Sequence, residues 1–187
     1  MKSICIFCGA KSGKGHTFET AAISAAQIIA KKGIDIVYGG GRVGLMGSIA
    51  DAALAAGGRV IGVIPEFLAT REIEHRGLTE IHIVASMHER KTKMADLSNG
   101  FVALPGGAGT LEEIFEQWTW AQLGIHTKPV GFLNHEGFYD PLVDMIHRMR
   151  DAEFIHEELV DMVVVEKDIG ALLQRFNTYE PPQKRWT

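Results

Sequence analysis

Residues 101–113 read FVALPGGAGTLEE. The rest of the chain likewise alternates strand-like and helix-like segments. An apolar strand-like run ends at Pro105, a glycine-rich loop follows at 106–110, and a helical pattern begins with two glutamates. Glycines between a strand and a helix let the backbone come close to an anion, which the free amides of the helix attract. The stretch therefore predicts an anion-binding loop, and it raises the question of why Glu112 and Glu113 lie one turn away.

Strand-like and helix-like segments alternate along the whole chain. Short apolar runs predict strands at 4–7, 34–38, 60–64, 80–84, 101–104, 130–133 and 162–165. Helical patterns fall at 17–32, with Thr17 as a candidate cap, and at 44–56, 87–97, 110–123, 141–150 and 169–176. This alternation predicts an α/β fold: a Rossmann-like, doubly wound parallel sheet of six or seven strands with helices on both faces. We expect one domain over 1–179 and a flexible tail over 180–187.

The composition is that of a soluble globular protein. The chain has 187 residues, of which 46% are hydrophobic, and a formal net charge of -4. A nucleic-acid partner is not expected without a basic surface, and no apolar stretch approaches the roughly 18 residues of a membrane span. The apolar run at 4–8 is too short for a signal peptide, so we expect a cytoplasmic protein.

Metal and redox chemistry are not predicted. Cys5 and Cys8 have a C-x-x-C spacing, but they lie in a strand pattern, which favours two reduced, buried thiols over a redox pair. The eight histidines lack the spacings of zinc sites.

Two other glycine loops resemble nucleotide motifs. Residues 9–15, GAKSGKG, are one residue short of an ATPase phosphate loop, and Gly15 stands where that loop has the Ser or Thr that binds magnesium. Residues 39–44, GGGRVG, match the dinucleotide pattern, with Glu66 at about the distance of a ribose-binding acid. A dinucleotide-binding oxidoreductase is therefore an alternative, although it does not explain the loop at 106–110.

The loop at 106–110 can be interpreted either as a purely structural turn or as part of a binding site. In the simpler reading it is a tight turn before a helix capped by Thr110, with the two glutamates complementing the helix dipole. The functional reading follows from the sheet edge, where all the glycine loops meet near Arg90 and Lys91. Arg90 can donate two parallel hydrogen bonds to a phosphate or ribose and Lys91 can supply a point charge, unless both lie on a solvated helix face.

These segments together resemble a known family. The stretches GGG at 39–41 with GLMG at 44–47, MHERK at 87–91 and PGGAGTLEE at 105–113 occur in order, and the likeness runs from Ile4 to about Phe154. They are similar to the LONELY GUY family of cytokinin riboside 5'-monophosphate phosphoribohydrolases. Relatives are often labelled lysine decarboxylases, but no pyridoxal phosphate context is recognisable here.

The resemblance implies a reaction and a set of site residues. The reaction is hydrolysis of the N-glycosidic bond of an adenine-type nucleoside 5'-monophosphate, without a cofactor, giving free base and ribose 5-phosphate. By similarity Arg90 and Glu113 form the catalytic pair. The substrate-binding residues implied are Gly40, Gly41, Glu72, Met87, Lys91, Gly106, Gly107, Ala108, Gly109, Thr110 and Thr119. The chain departs from many relatives at Ala10, where they carry serine, and Ser12 is a candidate replacement for the lost hydroxyl.

This reaction offers a role for a carboxylate beside the phosphate loop. Cleavage of an N-riboside builds positive charge on the sugar, so a carboxylate there stabilises the transition state more than the ground state. It can also act as general base on water. Glu113, expected at the third or fourth helical position, fits this role, while Glu112 points about 100° away and is expected to be a solvent-side or structural acid. A nucleotide-binding module without turnover is the main alternative.

The helix predicted at 110–123 bears on the oligomeric state. It is apolar on more than one face, since Trp120 points nearly opposite Trp118. Such a helix is either covered within one subunit or packed against a second copy. We expect a homodimer, which the resemblance also implies, with this helix across the two-fold axis.

Overall fold

The computed structural model describes residues 1–69 and 74–182. Within them lies one seven-stranded sheet, in which every neighbouring pair is parallel, with the order β4-β3-β2-β1-β5-β6-β7. The strands are β1 Ser3–Phe7, β2 Asp35–Tyr38, β3 Val60–Pro65, β4 Glu80–Val84, β5 Phe101–Ala103, β6 Val130–Leu133 and β7 Val163–Glu166.

Helices connect the strands and cover both faces of the sheet. Those described are α1 Thr17–Lys31, α2 Gly44–Ala55, α3 Glu66–Leu68, α4 Met87–Asp96, α5 Ala108–Gln122, α6 Asp140–Asp151, α7 Glu157–Val160 and α8 Ile169–Asn177, with a 3-10 turn at His135–Gly137.

Alternate residues of the central strands supply two separate hydrophobic cores. In β1, Ile4 and Ile6 join the core beneath α1, α2 and α8, while Cys5 and Phe7 join the core beneath α4, α5 and α6. All four side chains are at most 2% exposed. Strands that are buried on both faces read as continuous apolar runs, which is why their positions could be predicted from the sequence.

The strand order places the functional loops. Successive strands proceed from β1 to β4 in one direction and from β5 to β7 in the other, so the order reverses between β1 and β5. In open parallel sheets the crevice at such a reversal, beyond the carboxyl ends of the strands, is where ligands bind. The loops after β1 and β5 meet there, and the amide of Gly9 donates to the carbonyl of Pro105 at 3.2 Å.

The predicted fold class is confirmed, and its strands and longer helices agree to within about two residues. The short helices α3 and α7 were not predicted. The expected cap at Thr17 is wrong, because Thr17 is the first helical residue and His16, which precedes it, makes no capping hydrogen bond through its side chain. Most of the tail expected at 180–187 lies outside the described residues.

Two further sequence expectations can be compared with the structure. Cys5 and Cys8 are both buried and unpaired thiols. Their pKa values lie well above the ordinary thiol range, chiefly because burial disfavours the thiolate. In the part of the chain that is described, no helix is long and apolar enough to cross a membrane.

Two strand isoleucines test this account of the core. Ile36 in the central strand β2 is 0% exposed, whereas Ile83 in the edge strand β4 is 58% exposed. We expect Ile36→Ala to lower the free energy of unfolding by about 2–5 kcal/mol, since it leaves a cavity in a packed core. Ile83→Ala should cost less than about 1 kcal/mol. Urea unfolding followed by circular dichroism measures both, and equal losses would contradict the packing described.

Candidate active site

A cavity of about 590 Å³ opens at the crevice between β1 and β5. Its walls come from the loop after β1, the loop after β5, and the first turns of α2, α4 and α5. The lining residues are Cys8, Gly9, Ala10, Lys11, Ser12, Gly13, Phe18, Leu45, Met46, Leu68, Met87, Arg90, Pro105, Gly106, Gly107, Gly109, Thr110, Glu112, Glu113 and Phe138.

The loop after β5 presents open backbone to this cavity. Helix α5 begins at Ala108, with Gly107 as its N-cap, so the first amides of the helix have no acceptor within it. A Cβ atom at Gly107 or Gly109 would meet nothing within 4 Å, which shows that both face open space. The loop can therefore receive an anion, as the sequence predicted.

The capping role considered for Thr110 is wrong. The helix starts two residues earlier than predicted, and Thr110 lies in its first turn, 4% exposed. Its hydroxyl packs against Gly106, where a Cβ atom would lie 2.1 Å from Oγ1. Glycine at 106 therefore makes room for Thr110 as well as for the loop after β1.

Arg90 is buried at the centre of the cavity wall, 8% exposed. Its Nε donates to the carbonyl of Val63 at 3.0 Å and its Nη2 to the carbonyl of Gly39 at 3.3 Å. Its Nη1 donates to Glu113 Oε1 at 2.9 Å. Two carbonyls at the ends of β2 and β3 thus hold the guanidinium in place, with one edge turned toward Glu113.

The glycines at 39–41 support Arg90. A Cβ atom at Gly39 would lie 1.8 Å from Arg90 Nη2, so no other residue fits there without displacing the guanidinium. Gly40 has a positive φ of 72° and packs against Ile64, and Gly41 pairs with Glu74 in an isolated bridge. Neither Gly40 nor Gly41 lines the cavity, and their predicted substrate contact stays a prediction.

Glu113 lies one turn beyond the open amides, four residues after Gly109. It is the sixth residue of α5, so the expected third or fourth position is wrong, because the helix starts at Ala108. Its side chain is 12% exposed. Burial raises the pKa of Glu113 above the ordinary carboxyl value, and the charge of Arg90 opposes that rise.

Lys91 lies beside this pair but does not line the cavity. Its side chain is 6% exposed, and its Nζ donates to Glu112 and, at 2.9 Å, to Glu116. Burial lowers the pKa of Lys91, but these hydrogen bonds outweigh it and hold the pKa above its ordinary value. Glu112 lines the cavity, is 55% exposed and ties α5 to α4 through Lys91. It is thus both solvent-exposed and structural, the two roles predicted for it.

Of the other site residues that the resemblance implied, some line the cavity and others do not. Met87 lines the cavity, and its sulfur lies 3.9 Å from Arg90 Nη1. Ala108 is exposed in the first turn of α5, and Thr119 is exposed about three turns further along, outside the cavity lining. Glu72 lies outside the described residues.

Several lining residues were not predicted from the sequence. They are Lys11, Phe18, Leu45, Met46, Leu68 and Phe138. Leu68 and Phe138 follow strands β3 and β6, and the rule that ligands lie beyond the carboxyl ends of strands could have suggested them. Phe18 and Phe138 pack edge to face with ring centroids 5.4 Å apart, a contact that no sequence pattern indicates.

A family model described as "Possible lysine decarboxylase" matches residues 46–176. Among curated proteins, the cytokinin riboside 5'-monophosphate phosphoribohydrolase of Rhodococcoides fascians is 49% identical over 173 residues, covering 91% of this chain and 87% of the relative. LOG2 of Arabidopsis thaliana, named for the same activity, is 45% identical over 180 residues, covering 96% and 84%.

Solved structures share the fold at lower identity. The molybdenum cofactor carrier protein of Chlamydomonas reinhardtii superposes with a TM-score of 0.71 at 23% identity, over 95% of this chain and 99% of that one. The molybdenum cofactor binding protein of Rippkaea orientalis gives 0.71 at 19% identity, over 95% and 97%. At this identity the likeness shows the fold alone. The matches over nearly the full length of the curated relatives show more: the chain belongs to the LONELY GUY family of cytokinin riboside 5'-monophosphate phosphoribohydrolases.

Proposed function

We propose that this protein hydrolyses the N-glycosidic bond of adenine-type nucleoside 5'-monophosphates, with Glu113 and Arg90 as its catalytic residues. The observation that carries the proposal is a buried carboxylate, held by Arg90 at 2.9 Å, one turn from a set of open helix amides. Membership of the phosphoribohydrolase family supports the reaction, and the cavity supports the placement of the substrate.

The phosphate would rest on the amides of residues 107–110, which places the ribose beside Glu113. As the bond between C1' and the base breaks, its electron pair leaves with the base and positive charge develops on the ribose. The carboxylate of Glu113, whose side chain is 12% exposed, stabilises that charge more strongly than a fully solvated carboxylate would. It then accepts a proton from the water whose oxygen bonds to C1', the departing base takes up a proton from solvent, and Glu113 afterwards releases its proton to solvent.

Arg90 would act by orienting Glu113. The guanidinium is fixed by the backbone of β2 and β3, so the carboxylate is held without having to reorganise during the reaction. Arg90 also lines the cavity, where a ribose hydroxyl could accept a hydrogen bond from it.

The base would extend toward the apolar side of the cavity formed by Met46, Leu68 and Met87. Both AMP and an N6-isopentenyl derivative are candidate substrates, since an apolar wall suits an adenine ring and an isoprenoid substituent. The dinucleotide alternative loses its support, because the space at Gly39 is occupied by Arg90.

Two further features belong to this proposal. A homodimer packed through α5 would cover Leu123 and Ile125, which are 47% and 63% exposed at the end of that helix. A cytoplasmic location fits the two unpaired thiols, Cys5 and Cys8, because such thiols persist in a reducing compartment.

One experiment tests both the reaction and the preferred nucleobase. Wild type should release free base and ribose 5-phosphate from AMP and from N6-isopentenyl-AMP, and the ratio of rates identifies the preferred base. Glu113→Gln should lower kcat by about 10²- to 10⁴-fold, since the side chain keeps its shape but loses its charge. Chromatography of the released base measures both enzymes.

Glu112→Gln is the matched control for that experiment. Glu112 is the neighbouring carboxylate, and its amide analogue can still accept the hydrogen bond from Lys91. We expect its kcat to stay within a few-fold of wild type. Equal losses in the two variants, or full activity in Glu113→Gln, would contradict the assignment. Nucleotide binding without any base release by wild type would support the non-catalytic alternative.

The second prediction concerns pH. Only ionised Glu113 can act as the base. Because burial raises the pKa of Glu113, kcat/KM should fall as the pH is lowered, and the fall should occur at a pH above the ordinary carboxyl pKa of about 4.3. Because Arg90 lowers the pKa of Glu113, Arg90→Gln should raise it further, whereas Lys93→Gln on the same helix should not. NMR titration of the Glu113 side-chain carboxyl follows this directly, and an unchanged or lower pKa in Arg90→Gln would refute it.

The third prediction concerns assembly. Wild type should sediment as a dimer in analytical ultracentrifugation, and Ile125→Glu should shift it toward the monomer by placing a charge in the interface. Phe154→Glu is the control, because Phe154 is 83% exposed but follows α6 rather than α5. A monomeric wild type, or dissociation only in the control, would exclude this interface.

A further inference from the structure

The loop after β1 lines the cavity although its sequence fails the ATPase pattern. Residues 9–13 all contribute to the wall, as do Gly107, Gly109 and Thr110 at the start of α5. The two loops touch, since the amide of Gly9 donates to Pro105 and a Cβ atom at Gly106 would lie 2.9 Å from Gly9 N. The space that would hold the phosphate is therefore bounded by both loops.

Close contacts fix this loop in position. A Cβ atom at Gly44, which has a positive φ of 56°, would lie 2.4 Å from the backbone nitrogen of Lys11. The amide of Leu45 donates to the carbonyl of Gly9 at 3.1 Å. At the other end of the loop, Gly13 has a positive φ of 82° and packs against the ring of Phe18. The loop is thus clamped between α1 and α2, with Lys11 and Ser12 at the cavity.

The charged residues that line the cavity differ in whether they have an ion-pair partner. Its lining contains two cations, Lys11 and Arg90, and two carboxylates, Glu112 and Glu113. Arg90 is bound to Glu113, and Glu112 is bound to Lys91 from outside the cavity. No ion pair within residues 1–69 and 74–182 engages Lys11. A phosphate dianion placed near two carboxylates needs a cation, and Lys11 is the lining cation that remains for it.

We propose that Lys11 binds the 5'-phosphate of the substrate and makes the enzyme selective for nucleotides over nucleosides. This inference rests on the proposed function. The ε-ammonium group adds charge to the neutral amides of residues 107–110, and the Ser12 hydroxyl can donate a further hydrogen bond in place of the serine that Ala10 lacks. Lys11 acts on the non-reacting end of the substrate and so contributes to binding rather than to bond cleavage.

The test compares Lys11→Met with wild type. The KM for AMP and the inhibition constant of ribose 5-phosphate should both rise by about 10- to 100-fold, the range for a lost hydrogen bond to a charged group. The kcat should change by less than about threefold, because binding of the phosphate is uniform in the ground and transition states. Inhibition by free adenine should not change. Lys11→Arg, which keeps the charge, should recover part of the affinity.

Lys14→Met is the matched control, since Lys14 is exposed in the same loop but does not line the cavity. Its constants should equal those of wild type. Unchanged constants in Lys11→Met, or an equal loss of adenine affinity, would overturn the proposal. Calorimetry with ribose 5-phosphate measures the role of Lys11 even if wild type releases no base, so failure of the proposed function and failure of this inference are distinguishable.

Discussion

The site depends on the burial of one guanidinium. Arg90 lies among the carboxyl ends of β2 and β3 and carries its charge where little water can reach it. Removing such a charge from water costs several kcal/mol unless hydrogen bonds and an opposite charge compensate. Two backbone carbonyls and Glu113 provide that compensation, and Gly39 provides the space. The ion pair between Arg90 and Glu113 therefore requires both the strand order, which places the two carbonyls, and the glycine at position 39.

This pair sets the electrostatic state of Glu113. Burial favours the neutral acid, whereas Arg90 favours the carboxylate, and Lys91 acts in the same direction as Arg90 from behind. Lys91 in turn is held by Glu112 and Glu116. Five charged side chains, two from α4 and three from α5, therefore join the two helices beside the cavity. Such a network fixes the carboxylate of Glu113, whose side chain is 12% exposed.

The fold could be predicted from the sequence better than the contacts that support the candidate site. Buried parallel strands appear in the sequence as continuous apolar runs, and a glycine loop before a helix appears as a local pattern. Strand β5 and the loop at 106–110 could therefore be predicted. The contacts of Gly39 and Lys91 could not be predicted, because each depends on a partner far along the chain. Gly39 resembled a phosphate-binding glycine, yet its neighbour is the Arg90 side chain. Lys91 has partners on α5 that the sequence did not indicate, and its implied contact with the substrate stays a prediction.

The start of α5 answers the question raised by its two glutamates. Because the helix begins at Ala108, the anion-favouring amides occupy its first turn, and Glu113 lies about 7.5 Å further along the axis at a rise of 1.5 Å per residue. The dipole's preference for anions falls off within that first turn, so the two negative groups need not compete for the same amides. A phosphate at the helix end and a carboxylate at its second turn are then separated by a distance in which a ribose fits. The same helix can therefore favour a negative group at one end of the sugar and a developing positive charge at the other.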